Sequence, residues 1–368
     1  MNVNMNYDNL FAACNLVGKE INGWFVKKML PKPNKIGGTG GTFSICYIVE
    51  REGKEYFMKV LDLRICMGDL VPFGLTNSEY MEQCLREFNY EKVLSAYCKN
   101  NHIKNIIQYY DDGDAIVDGF PFNNVSYIVY EKAEGDIRKT LDLSKKAIFS
   151  EKLKNISQKL KSLHDIAVGM QQLHQKDISH QDIKPSNILS IKDKSKIGDL
   201  GRSLCFASDI KCPYPLEFNG DWNYAPPEAA FGNTTRDKKD LYQIDNYMLG
   251  SLIVYYICGV SFNVLLNNHL PMPLLKMCES GRTYEDSKAD LIHAFHLALN
   301  DFEKEIPLDN IKSELTAIVE YLCNPIAEKR GHPKNINVST RTSNYDLIRT
   351  YSELDKLYRK TQIELMKK

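Results

Sequence analysis

The sequence predicts an α+β chain in two parts, a small strand-rich half carrying one helix and a larger, mainly α-helical half. Three observations carry that expectation. Its 368 residues exceed what one compact core usually organises, so two units are expected. Between Gly37 and Tyr130, short β-branched and aromatic runs are broken by turn residues. Beyond Glu131 the apolar residues recur at helical spacing instead.

Taken in order, "TFSICYIVE", "KEYFMKVLDL", "NIIQYYDD" and "VSYIVYEKA" read as strands. Glu79 to Lys99 interrupts them as a helix, with Tyr80, Cys84, Phe88, Tyr90, Val93, Leu94 and Tyr97 at helical intervals. Later helices are expected in "LHDIAVGMQQLHQ", after Asp245, in "LLKMCES", in "ADLIHAFHLALNDFEKE" and in "ELTAIVEYLCN". Tyr247 to Leu266 is long and nearly uncharged enough to imitate a membrane span. Asp245 as N-cap and Gly259 as C-cap reduce it to a buried core helix of roughly thirteen residues. The expected organisation is an N-terminal extension (1–23), a strand-rich part (24–131), a helical part (132–335) and a helical tail (336–368). The two halves join near residues 130–136, and a cleft between them is the natural ligand site.

Lys plus Arg equal Asp plus Glu at 47 each, so nothing calls for nucleic acid as a partner. Ten cysteines contain no CxxC pair and sit in apolar segments, as reduced thiols of a cytoplasmic protein do. The start, "MNVNMNYDNLF", lacks the basic and apolar regions of a signal peptide, and no membrane span is expected.

The chemistry concentrates in "HQDIKPSNIL", His180 to Leu189. Asp182 is a carboxylate that can orient a hydroxyl and take its proton. Lys184 can place a cation over a transferring phosphoryl group, and Asn187 offers a neutral oxygen to a metal ion. Asp199, in "KIGDLGRS", stands at a strand end before a glycine turn and would hold the other side of a magnesium site. His180 reads as a packed, hydrogen-bonded support for the loop, Asp111 with Asp112 as a turn, and Trp222 as packing.

This ordered pair of motifs resembles the catalytic and metal-binding loops of eukaryotic-type serine/threonine protein kinases. The resemblance runs from about residue 24 to residue 335 and implies a bilobal protein kinase-like fold, with ATP and Mg2+ as cofactors and protein hydroxyls as substrate. It implies that Gly38, Gly40 and Gly41 approach phosphates and that Lys59 of "YFMKV" pairs the α and β phosphates. Glu87 and Glu91, one turn apart, are both candidates to clamp Lys59, and the spacing to "HIKNII" favours Glu91. Tyr130 takes the gatekeeper position, with the Glu131 carbonyl and the Ala133 amide as adenine contacts. "GDWNYAPPEAAFG" resembles the end of an activation segment, whose Glu228 would pair with a buried Arg330, and Asp245 matches the aspartate that ties the catalytic loop to a buried helix.

The chain departs from the family pattern in several places. Gln181 replaces the arginine that receives an activation-loop phosphate, a non-RD variant, so activity is not expected to be switched on by that route. Glu217 falls near the usual phosphothreonine position, Asp221 replaces a threonine, and Ser95 replaces an apolar residue. The glycine spacing departs from GxGxxG, with Phe43 and Ser44 at the third glycine. The expected activity is transfer of the γ-phosphoryl group of ATP to serine or threonine. The alternatives are a pseudokinase scaffold with weak or no turnover, and a small-molecule kinase on the same fold.

Overall fold

The computed structural model describes residues 7–31, 43–67, 71–140, 149–215, 217–232, 237–275, 280–336, 343 and 345–367. The chain divides into two compact units, Met1–Glu134 and Gly135–Lys368.

In the first unit, the strands β1 (Glu20–Ile21), β2 (Trp24–Met29), β3 (Ser44–Arg51), β4 (Lys54–Leu61), β5 (Tyr109–Ile116) and β6 (Asn124–Glu131) form one sheet, ordered β1-β2-β3-β4-β6-β5. Neighbouring strands are antiparallel. Side chains alternate across a strand, so each strand feeds two faces. Val26, Tyr47, Val49, Met58, Val60, Val125, Tyr127 and Val129 fill one face. That face is covered by the N-terminal segment, whose Phe11, Ala12, Ala13, Cys14 and Leu16 belong to the same core. Phe11 stacks on Phe122 with ring centroids 4.3 Å apart. Residues before Gly37 therefore contribute both two strands and core, which the sequence reading did not foresee.

The helix α1 (Asn77–Asn100) opens on a capping box between Thr76 and Glu79, which satisfies backbone donors at its start. Its buried stripe runs Tyr80, Cys84, Phe88, Glu91, Ser95, Cys98. Two polar residues, Glu91 and Ser95, occupy positions an apolar stripe would normally fill. Asp111 and Asp112 lie within β5 rather than in a turn. Asp111 accepts from the Trp24 indole at 2.9 Å, and the Arg51 guanidinium lies 3.6 Å from the Trp24 ring centre.

The second unit begins with β7 (Gly135–Asp136), α2 (Ile137–Thr140) and α3 (Phe149–His174), followed by β8 (Ile178–Ser179), β9 (Ile188–Ile191), β10 (Lys194–Ile197) and β11 (Leu204–Cys205). The helices α4 (Pro227–Ala230), α5 (Lys238–Cys258), α6 (Phe262–Asn267), α7 (Tyr284–Glu305), α8 (Asp309–Leu322), α9 (Pro333–Ile336) and α10 (Ile348–Met366) complete it. The expected helix in "LLKMCES" lies largely outside the described residues.

The buried helix α5 starts earlier than its apolar run suggests. Asp237, not Asp245, is its N-cap, accepting from the Lys239 amide, and fifteen of its residues are buried. Asp245 instead lies inside the helix, fully buried. Gly259 closes the helix in the left-handed region at φ 79°, as expected of a C-cap glycine. No described helix is long and apolar enough to cross a membrane.

The C-terminal helix α10 packs along α3 and buries Leu354 and Leu357. Polar contacts pin it along its length. The Leu347 amide donates to Gln171 Oε1 at 2.7 Å, Tyr321 and His332 both reach the Glu353 carboxylate at 2.9 Å, and Lys360 pairs with Glu314.

Candidate active site

In the first unit, β4 lies antiparallel between β3 and β6, with Lys59 opposite Cys46 and Ile128. Lys59 points away from the face that holds Met58 and Val60, toward α1. Its ammonium donates to both oxygens of Glu91 at 2.8 Å. Of the two candidate acids, Glu91 is therefore the partner, while Glu87 accepts from Gln83 at 2.8 Å. Glu91 is 4% exposed, so this pair is far better shielded than a surface ion pair.

Two further groups join the pair, and the sequence reading had given neither a part in it. Tyr130 Oη donates to Glu91 Oε1 at 3.2 Å, and Ser95 Oγ lies 2.9 Å from the same Tyr130 oxygen. Both signals are present in the sequence. Ser95 stands one helical turn after Glu91 on the buried stripe, and Tyr130 has the strand parity of Ile128, hence the face of Lys59. Glu131 donates its amide to the Gln108 carbonyl and accepts the Gln108 amide on Oε1. Ala133 lies just beyond β6, half-buried. Gly38, Gly40 and Gly41 lie outside the described residues.

In the second unit, the loop between β8 and β9 carries Asp182, Lys184 and Asn187. Its entry is fixed from below by Asp245 of α5. Asp245 Oδ2 accepts from the His180 amide at 2.8 Å and the Ser179 hydroxyl at 2.9 Å. Its Oδ1 accepts from the Gln181 amide at 2.8 Å, and His174 Nε2 reaches Oδ2 at 2.8 Å. Charge-assisted bonds of this kind are short and strong, so one buried carboxylate sets the path of the loop backbone.

His180 is fully buried. It accepts the Asp182 amide on Nδ1 and donates Nε2–H to the Gly198 carbonyl at 3.1 Å, which fixes its neutral tautomer and ties the loop to the strand end before Asp199. Gln181 adopts φ 64° and turns its side chain inward, where the amide donates to Ser179 Oγ at 2.7 Å and the Leu241 carbonyl at 3.0 Å.

Asp182 is 6% exposed and held on both oxygens. Asn187 Nδ2 donates to its Oδ2 at 2.9 Å and to its backbone carbonyl at 2.8 Å, while the Asp221 amide donates to Oδ1 at 3.1 Å. The Lys184 ammonium lies 3.0 Å from Asp182 and 3.4 Å from Asp221. Burial pushes the Asp182 carboxyl above the ordinary aspartate range; Lys184 opposes the shift and Asp199 adds to it. Burial works against the Lys184 ammonium too, but Asp182, Asp221 and Asp199 outweigh it and hold its pKa above the ordinary lysine value.

Asp199 sits at φ 58°, a sparsely populated conformation for a residue with a side chain. Its Oδ1 accepts a long bond from the Gly201 amide at 3.4 Å. Its carboxylate is near enough to Asp182 to raise that group's pKa, so the loop holds a surplus of negative charge that a divalent cation would offset. Asn187 spends its nitrogen on Asp182. Its Oδ1 accepts from Ser186 at 3.3 Å and keeps acceptor capacity for a cation. An amide oxygen and a carboxylate suit magnesium, which completes its octahedron with water and phosphate oxygens, so these residues fit the ion. Among the described residues, no cluster of three or more His, Cys, Asp or Glu could hold a metal by itself.

The segment from Gly220 to Glu228 packs against this loop. A Cβ on Gly220 would stand 1.8 Å from the Gln181 carbonyl oxygen, so only glycine fits there. Trp222 is 62% exposed, touching Phe218 edge-on at 4.9 Å, and so is not the packed residue the sequence suggested. Glu217 is exposed. Glu228 and Arg330 form a two-pronged buried pair at 2.6 and 3.0 Å.

A strand lysine clamped by a helix glutamate, and an Asp-x-Lys-x-x-Asn loop tied to a buried helix, together define a protein kinase domain. The family model described as "Protein kinase domain" matches residues 38–338, and the chain belongs to that family. It is 28% identical over 175 residues to the serine/threonine-protein kinase par-4 of Caenorhabditis briggsae, covering 46% of this chain and 24% of that protein. Aurora kinase of Patiria pectinifera is 25% identical over 244 residues, 66% of this chain and 50% of that protein. Cyclin-dependent kinase G1 of Arabidopsis thaliana is 33% identical over 205 residues, 55% of this chain and 29% of that protein. The chain thus spans half or less of the length of these relatives.

Proposed function

We propose that the protein is a serine/threonine protein kinase that transfers the γ-phosphoryl group of ATP to a protein hydroxyl. The observation that carries this reading is the Asp182 carboxylate, held by Asn187 and by the Asp221 amide, with the Lys184 ammonium 3.0 Å away. Asp182 orients the acceptor hydroxyl and takes its proton as the oxygen bonds to the γ-phosphorus. The bond from that phosphorus to the bridging oxygen breaks, and ADP leaves with the electron pair. Lys184 stabilises the charge on the transferring group, and Lys59, oriented by Glu91, binds the α and β phosphates. Asn187 and Asp199 would hold Mg2+, which supplies electrostatic stabilisation of the phosphates when bound.

The lysine two positions after Asp182 favours serine and threonine over tyrosine as acceptor. Gln181 is hydrogen-bonded inward and carries no charge, so an activation-segment phosphate finds no arginine at this position. Activity is proposed not to depend on that modification. Seven of the nine described cysteines are buried, which supports a reducing, cytoplasmic setting.

The test is incorporation of labelled phosphate from ATP and magnesium into the protein itself and into a casein-like acceptor, compared with Asp182→Ala and Lys59→Met. Incorporation that disappears in both variants supports the reading. No incorporation by the unmodified chain across metal and acceptor conditions would favour a scaffold without turnover, and preference for aminoglycosides or choline would favour a small-molecule kinase.

A further inference from the structure

We propose that Tyr130 and Ser95 are positioning residues that hold Glu91, and through it Lys59, in the nucleotide-binding geometry. The inference rests on the reading of Lys59 as the phosphate-binding lysine. The register of β4 and β6 sets Tyr130 opposite Phe57, on the face that Lys59 shares, and its hydroxyl reaches α1. That hydroxyl lies between Glu91 Oε1 at 3.2 Å and Ser95 Oγ at 2.9 Å.

The proton order follows from chemistry. A carboxylate beside an ammonium only accepts, so Tyr130 O–H donates to Glu91 and Ser95 O–H donates to the Tyr130 oxygen. The result is a directed chain, Ser95 to Tyr130 to Glu91, with Lys59 donating from the other side. Tyr130 is 5% exposed, Ser95 2% and Glu91 4%, so water does not compete for these bonds. A buried serine on the helix stripe is costly unless bonded, and Tyr130 bonds it. The departure at Ser95 and the large residue at 130 are therefore one feature: the hydroxyls belong together, and each accounts for the other.

The strand and the helix are thereby linked by two connections, the ion pair and the hydroxyl chain. The second does not depend on phosphate elsewhere, which matches a chain whose Gln181 offers no phosphate-sensing cation.

The experiment measures kcat/KM for ATP, KM for a protein acceptor, and urea stability in the full chain. Tyr130→Phe is expected to lower kcat/KM for ATP roughly tenfold, the worth of a hydrogen bond to a charged group, with acceptor KM unchanged. Ser95→Ala is expected to cause a smaller loss and Ser95→Thr to restore it. In a Glu91→Gln background, Tyr130→Phe should add less than twofold, because its partner charge is already gone. An unchanged kcat/KM for ATP in Tyr130→Phe, or losses that multiply with Glu91→Gln, would overturn the proposal. Lys59→Met separates the two levels. If it leaves kcat/KM for ATP intact, or if the unmodified chain has no turnover, the reading of Lys59 fails and the inference goes with it. If Lys59→Met is impaired and Tyr130→Phe is not, the inference alone fails.

Discussion

Replacing Arg330 with methionine tests a fully buried charge of the second unit. Arg330 is fully excluded from solvent, and its guanidinium donates to both oxygens of Glu228, to the Gln243 carbonyl at 3.1 Å and to the Asn324 carbonyl at 2.9 Å. Arg330→Met deletes the cation and leaves Glu228, 6% exposed, as an uncompensated carboxylate. An uncompensated partner of a buried pair costs about 3–5 kcal/mol. At roughly 2–4 °C per kcal/mol for a unit of this size, the thermal midpoint should fall by about 10 °C. Urea and thermal unfolding followed by circular dichroism, run on the single variants and on Glu228→Met/Arg330→Met, measure the free energy and the midpoint. The double variant removes both charges and should recover most of the loss, because two apolar side chains replace the pair without a stranded ion. A single variant costing under ~1 kcal/mol, or a double variant costing the sum of the singles, contradicts the assignment.

Three further outcomes are expected. The ionised form of Asp182 is the one that takes a proton, and its carboxyl is raised by burial; the acid limb of kcat against pH should therefore lie above the ordinary aspartate range, and Lys184→Met should move it higher still by removing the cation that opposes the shift. A limb at ordinary carboxylate pH would show that Asp182 does not take the proton. Asp221→Asn keeps the amide that supports Asp182 but removes a carboxylate that raises Lys184, so the basic limb of the same profile should move to lower pH, and an unmoved limb argues against Lys184 as its origin. Leu354→Ala empties a fully buried site between α10 and the helices beneath it and should cost about 2–5 kcal/mol in chemical denaturation, whereas a loosely docked tail would lose under ~1.

The parts of this architecture legible in sequence are those written in local chemistry. Strand composition and helix period located β3, β4, β6 and α1 to within a few residues, since neighbour-to-neighbour pattern decides them. The ordered spacing of Asp182, Lys184, Asn187 and Asp199 pointed to one loop system because each offset is short. What escaped was long-range. β1 and β2 were missed because their apolar positions are completed by Phe11 and Leu16 of a segment that has no regular period. The start of α5 was misplaced because Asp245 is acidic in an apolar run, the signature of a cap, whereas its partners are backbone amides some sixty residues upstream. Ser95 looked like a flaw in a helix stripe until Tyr130 stood opposite it. Trp222 looked like core because tryptophan usually is, yet it stands in solvent with an edge of Phe218 against it.

The Asp245 anchor reaches beyond geometry into the order of events during synthesis. A ribosome releases the stretch around Asp182 well before it releases the turn of helix that carries residue 245. Until that turn arrives and docks, the amides of His180 and Gln181 lack the acceptor that sets their direction. An emerging chain therefore holds Asp182, Lys184 and Asn187 without their arrangement, which arrives only with the interior of the helical unit.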